Sequence, residues 1–400
     1  MIDRLVGSEM CIRDSTNSHL FDINGFLYQA PITFYTQRKK WDMAPGFEDG
    51  FNSRFARVIG AECMTCHNGL PELAPGAENR YTVIPKGIDC ERCHGPGEAH
   101  VNQLSSGVLI DTANDIDYSI VNPRHLPIEH QIDLCQRCHL QGVAVLNDGS
   151  TFFDFKPGMR IKEHWNIFLP EYTGGTGKFI MASQSERLQQ SACFIQSGEL
   201  SCITCHNPHI SVKDSPVELF NQSCLGCHSS GEDCLESSSA RAVNDDDCSA
   251  CHMPQSSSID FPHVSITYHL IQIPGRKIDS ATEGYFAGLK CYTDDSPSAL
   301  AMAKGYLRFY EGFNSQSAML DSAESYLVKT SAQDSGFANV WVHLFYLKKD
   351  YRKVTEFASK LKLYEIEDPY AAFRIGDAHL SLNGYETVSY THLTLPTSYP

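Results

Sequence analysis

Two kinds of apolar pattern frame this chain, with a long aperiodic stretch between them. Between residues 26 and 35 apolar side chains alternate in places (Phe26, Tyr28; Ile32, Phe34), which predicts one or two strands, and beyond Pro45 the chain reads as loop. From residue 296 to 387 the period lengthens. Segments 299–310 (ALAMAKGYLRFY) and 317–327 (SAMLDSAESYL) repeat apolar residues at i, i+3 and i+4, the signature of helices with one buried stripe. A 34-residue spacing then relates Ala338 to Ala372, Trp341 to Ile375 and Tyr351 to Tyr385, with the KDY (349–351) and NGY (383–385) turns in phase. The stretch between the two regions keeps neither period and is rich in Gly, Pro, Ser and Asn; its segments 236–247 and 255–263 read as exposed connections. The expected fold class is mainly α with much irregular structure: short helices, long connections and little sheet.

An aperiodic, weakly apolar segment ordinarily fails to offset its conformational entropy. This one carries a repeated five-residue pattern. It reads CMTCH (Cys63, Cys66, His67), CERCH (Cys90, Cys93, His94), CQRCH (Cys135, Cys138, His139), CITCH (Cys202, Cys205, His206), CLGCH (Cys224, Cys227, His228) and CSACH (Cys248, Cys251, His252). These six copies use 12 of the 16 cysteines. Three chemistries use C-x-x-C: structural zinc, which needs two pairs for four ligands; thiol–disulfide exchange, which sits beside a βαβ pattern; and covalent attachment of haem c. The histidine separates them. It forms 17 of 400 residues, so its presence behind all six pairs has chance odds of roughly 10⁻⁸, whereas haem attachment requires it every time. The reading is six covalently attached haems c, with the twelve cysteines as thioether anchors and His67, His94, His139, His206, His228 and His252 as proximal iron ligands. Porphyrin then supplies the apolar surface that the segment lacks; zinc is the alternative.

Each iron needs a decision on its other face: a second histidine makes an electron carrier, an open position makes a site for a small molecule. Setting aside the proximal ligands, His343 and His379 of the helical tail, and His392 at the C-terminal end, eight histidines remain for six irons. Four are singled out as distal ligands. His100 follows a Gly-Pro-Gly turn in CHGPGEAH, His209 follows a proline in CHNPH, and His263 and His269 lie in DFPHVSITYH. Each lies too close to its own proximal ligand to wrap round the porphyrin edge, and so serves a neighbouring haem. Nothing local distinguishes His19, His125, His130 and His164. Cys193, Cys234 and Cys291 stand outside the motifs, and Cys193 with Cys234 is the pair expected to form a disulfide in an oxidising compartment.

The two ends fit neither neighbour. Residues 1–15 (MIDRLVGSEMCIRDS) and 388–400 (VSYTHLTLPTSYP) resemble translated sequencing-adapter read-through and stand outside the fold reasoning, with Cys11 and His392. The remainder divides into a hexahaem cytochrome c domain, 16–277, and a helical domain, 278–387, truncated at its end. Covalent haem attachment is an extracytoplasmic process in bacteria, which points to the periplasm or the cell surface, with the signal peptide missing. No apolar run of 18 residues appears, so no membrane span is expected. The formal net charge of −16 and the absence of a basic stripe exclude nucleic acid as a partner.

The stretches CERCHGPGEAH, SACFIQSGELSCITCHNPH, and DDCSACHMP followed by IDFPHVSITYH resemble the extracytoplasmic multihaem c-type cytochromes related to the tetrahaem cytochrome of ammonia oxidisers. The helical end resembles a tetratricopeptide repeat. The first resemblance implies electron transfer through closely stacked haem pairs, with distal ligands at His100, His209, His263 and His269. This chain departs from it by carrying six motifs rather than four, so the haem order does not transfer. Two functions follow. The first is an electron carrier that exchanges electrons with periplasmic redox partners, with the tail as a surface for a protein partner. The second is a multihaem oxidoreductase acting on a small nitrogen or sulfur compound at one five-coordinate haem.

Overall fold

A computed structural model of the chain describes residues 4–6, 15–48, 50, 52–173, 180–229, 234–258, 260–274, 285–331, 336–359, 361 and 368–382. It divides into two compact units. The first comprises residues 1–141, 152–163 and 173–285; the second comprises 142–151, 164–172 and 286–400. A single boundary after Lys277 does not anticipate the two inner segments that belong with the helical end, and residue 277 itself lies outside the described residues.

The first unit opens with an antiparallel sheet of β1 (Arg4–Val6), β2 (Thr16–Ile23), β3 (Phe26–Tyr35) and β4 (Lys40–Met43), in that order, with β5 (Arg57–Val58) also paired to β3. Arg4–Val6, set aside as adapter sequence, pairs with Leu20–Asp22. The β2–β3 turn is an Asn-Gly step. Asn24 and Gly25 have φ of 54° and 87°, and the Asp22 carboxylate accepts the Gly25 N–H at 2.6 Å. Both central residues with positive φ make the turn whose twist matches the flanking strands. Leu20, Leu27, Ile59 and Tyr81 form a small buried cluster with Met64 of α1 (Ala61–His67). The sheet thereby fixes the helix that carries the first motif.

Short elements follow. They are β6 (Glu72–Leu73) paired with β7 (Tyr81–Val83), α2 (Glu91–His94), α3 (Glu98–Ser105), α4 (Ile128–His139), α5 (Gln184–Gln189), α6 (Ala192–Ser197), α7 (Cys202–Cys205), α8 (Val217–Leu225), α9 (Ser238–Ala242) and α10 (Cys248–His252). A small strand pair, Gln255–Ser257 with Ser265–Thr267, closes the unit. Among the described residues from 202 to 263 none is buried, while Ile210, Val212, Leu225 and Val243 stand exposed. That stretch has no side-chain core.

The second unit holds a three-stranded antiparallel sheet: β8 (Val143–Leu146), β9 (Trp165–Tyr172) and β12 (Phe286–Cys291), with β9 central; the strand pair at 255–267 supplies β10 and β11. The helices are α11 (Ala299–Gly312), α12 (Ser317–Leu327), α13 (Phe337–Leu347), α14 (Tyr351–Ala358) and α15 (Pro369–Ser381). Side chains of Ser298, Asp350 and Asp368 cap α11, α14 and α15 by accepting N–H groups of their first turns. Phe168 of β9, Leu307 of α11, Leu327 of α12 and Leu344 of α13 are fully buried in one apolar cluster. Gly305 lets α11 approach that sheet, because a Cβ there would sit 3.0 Å from the Phe168 ring. Ala338 and Trp341 lie on α13, and Ala372 and Ile375 on α15, so two of the 34-residue matches fall on helices; Tyr385 and the NGY turn lie outside the described residues. Four small sheets exceed the little sheet expected, chiefly because residues 16–43 form a full meander and the apolar runs 143–146 and 165–172 pair as strands.

Candidate haem centres

Each motif sits on, or at the C-terminal end of, a short helix. One helical turn places positions i, i+3 and i+4 on one face, so two thiols and an imidazole point the same way from five consecutive residues. The turns close as that geometry requires: the N–H of His94, His206 and His228 donates to the carbonyl of Cys90, Cys202 and Cys224 at 2.9, 3.0 and 2.9 Å. In the first motif the intervening Met64 and Thr65 are buried, which turns Cys63, Cys66 and His67 away from the sheet.

The motifs adjoin one another. Cys66 lies beside Cys138 and donates to the Arg137 carbonyl at 3.1 Å. Cys135 lies beside Cys202, and Cys224 beside Cys248. The Ser223 hydroxyl donates to the Thr204 carbonyl at 3.0 Å, joining the fourth motif to the fifth. The third residue of the first three motifs forms a buried ladder. The Arg92 guanidinium donates to the Thr65 carbonyl and hydroxyl, and the Arg137 guanidinium donates to the Arg92 carbonyl at 3.0 Å. Burial, then the neighbouring Arg137, pulls the Arg92 guanidinium down to about 10, still charged at neutral pH. Sequence alone marks Thr65, Arg92 and Arg137 by no more than arginine at the same motif position twice.

Loss of solvent around the sulfur pushes the thiols of Cys63, Cys93 and Cys205 up, and that of Cys224 to about 11. The same desolvation lowers His67 and His206, and holds His269 at about 4. At neutral pH these imidazoles are therefore neutral, the form that binds a metal.

The proposed distal ligands occupy unlike surroundings. The His209 ring lies 5.9 Å from that of His94, with planes 8° apart, and the His269 ring lies 6.2 Å from that of His206, with planes 27° apart. His94 Nδ1 bonds the Val121 carbonyl at 2.8 Å, and His269 Nδ1 bonds the Thr267 carbonyl at 2.9 Å. His252 is held likewise by the Gln272 carbonyl at 2.9 Å. His100 Nδ1 lies 3.1 Å from the Ser119 hydroxyl and 3.0 Å from the Asp117 carboxylate. His263 differs: its Nε2 is engaged by the Asp42 carboxylate at 3.0 Å, its ring packs edge-on to Tyr35, and its φ is 63°.

Of the unassigned histidines, His19 stacks on Trp41, His125 is exposed on a short turn (Pro123–His125), and His164 belongs to the second unit. His343 forms an ion pair with Glu311 at 3.1 Å. Cys193 and Cys234 are both free thiols, a correction to the expected disulfide. Cys193 is near Cys205 and Cys224, and Cys234 is near Cys248. Cys291 is buried beside Asn166 and Thr293 in the second unit.

The donor set fits haem c. Three observations agree: thiol pairs and imidazoles presented on one helical face, imidazoles facing one another in pairs, and a coreless stretch around the last three motifs. No helix among the described residues is long and apolar enough to cross a membrane.

Comparison with known proteins agrees with this donor set. Residues 195–233, holding the fourth and fifth motifs, match the doubled CXXCH motif family. Over 211 residues the chain is 24% identical to the multiheme cytochrome MtrA of Shewanella baltica (strain OS185), a match that covers 47% of this chain and 61% of that protein. The chain thus spans about three-fifths of the length of that curated relative. No solved structure matches. The motifs and both likenesses support a multihaem c-type cytochrome.

Proposed function

We propose that this protein is an extracytoplasmic electron carrier with six covalent haems c, built as a haem domain followed by a helical, tetratricopeptide-like domain. The proposal includes kinship with the multihaem cytochromes related to the tetrahaem cytochrome of ammonia oxidisers. Redox partner proteins supply and remove the electrons, and the helical domain offers a protein-docking surface. When bound, haem iron contributes a one-electron couple; the chain's residues anchor it, ligate it and set its surroundings.

The observation that carries the reading is the pairing of imidazoles from different motifs. An imidazole nitrogen binds a first-row metal in its ring plane at roughly 2 Å, so two rings that hold one iron from opposite sides have centroids roughly 6 Å apart. The separations of 5.9 Å for His94 with His209 and 6.2 Å for His206 with His269 match that span. We assign His209 to the iron of His94, and His269 to the iron of His206. His100, oriented by Asp117, is a third distal ligand; His263 takes that role only by releasing Asp42.

Mass measurement of the purified holoprotein tests this reading. Six haems that resist acid-acetone extraction are expected, with ferric spectra dominated by low-spin iron. A product holding zinc, or haem that extracts, would overturn it.

A further inference from the structure

His130 lies on α4, nine residues before His139, and no motif draws attention to it. Its Nδ1 is bonded to the Gly158 carbonyl at 2.8 Å. The same tie, imidazole Nδ1 to a backbone carbonyl, holds His94, His252 and His269. A ligating histidine nearly always gives its other ring N–H to a carbonyl or carboxylate, which fixes the tautomer and aims the free nitrogen. His130 Nε2 makes no hydrogen bond among the described residues, and the ring is half-buried.

The tie at His130 is built rather than incidental. Asp133, one turn further along α4 and nearly fully buried, accepts from Arg160 Nε and from the Ile161 N–H at 3.1 Å, which staples segment 156–161 to the helix. Gly158 stands in that segment with φ of 90°, a conformation that favours glycine. The staple and the glycine together present the carbonyl to His130. His125, five residues earlier, has no such anchor and is exposed.

We propose that His130 is a further axial iron ligand, its Nε2 bound to a haem iron and its Nδ1–H held by Gly158. This rests on the multihaem reading above and adds a ligand to it. The iron is not the one bound by His139. Nine residues at 3.6 per turn place the two histidines on opposite faces of α4, and at 1.5 Å rise they are separated by roughly 13 Å along its axis. His130 therefore ties α4 to a haem anchored by a different motif.

The test uses full-length holoprotein. His130→Ala is expected to keep the wild-type number of covalent haems while one iron becomes high-spin by electron paramagnetic resonance, and added imidazole is expected to return it to low spin. His130→Met, which keeps a weaker axial donor and guards against a folding failure, is expected to raise the potential of one haem and leave the others in place. A His130→Ala protein that stays wholly low-spin, or a His130→Met protein with an unchanged redox titration, would overturn the assignment. Absence of covalent haem from the wild-type protein would instead overturn the broader reading, so the two failures are distinguishable.

Discussion

His209 lies three residues beyond His206, and Pro208 stiffens the path between them, so its ring turns away from its own motif and comes to rest beside His94. His209→Ala is therefore expected to leave all covalent haems attached while the iron ligated by His94, not that ligated by His206, turns high-spin. Its potential should rise, because loss of an imidazole donor destabilises the ferric state; an unchanged redox titration and a wholly low-spin spectrum would leave His209 as a surface histidine. At this scale the sequence was legible wherever the chemistry is contiguous: thioether attachment needs five adjacent residues, and all six sets stand out. It was silent where a role depends on a residue far away. His130 and Gly158 are 28 residues apart, and Arg92 reaches Thr65 across 27, separations at which no local pattern exists. The expected disulfide had no local pattern behind it either, and Cys193 and Cys234 are free thiols.

The elements of the second unit show what periodicity can and cannot reveal. The stripes at 299–310 and 317–327 became α11 (Ala299–Gly312) and α12 (Ser317–Leu327), because a helix that buries one face must repeat apolar residues at its own period. Strands β8 and β9 escaped notice. They are short apolar runs inside the motif region, and β12, which pairs with β9, begins 114 residues after β9 ends, a pairing beyond the range of periodicity. The fully buried Leu344 tests the packing of α13. Leu344→Ala should destabilise the helical unit by about 2–5 kcal/mol, the usual range for a buried leucine truncation, and lower its melting transition by circular dichroism. The haem absorption spectrum should stay the same, because the proposed ligands belong to the first unit. A spectral change with this variant would show that the helical unit supports an iron site.

At the scale of the molecule, the contrast is between a unit filled by its own side chains and a stretch, 202–263, that buries none. Three motifs lie in that stretch. Its shape thus depends on a group the ribosome does not supply, and this sets an order of events during biogenesis. On the proposed reading, translocation and thioether ligation act on an open chain, with compaction coming last, so each ligation step doubles as a checkpoint on the next. Replacing the six cysteines of the fourth, fifth and sixth motifs by serine should leave the chain open to trypsin near Lys213 and Arg241, while the segment from residue 286 onward survives digestion. Equal resistance in both regions would mean that the stretch compacts unaided. A cell short of haem would then accumulate not a dim cytochrome but a half-finished chain marked for destruction, which couples the abundance of the protein directly to the supply of its pigment.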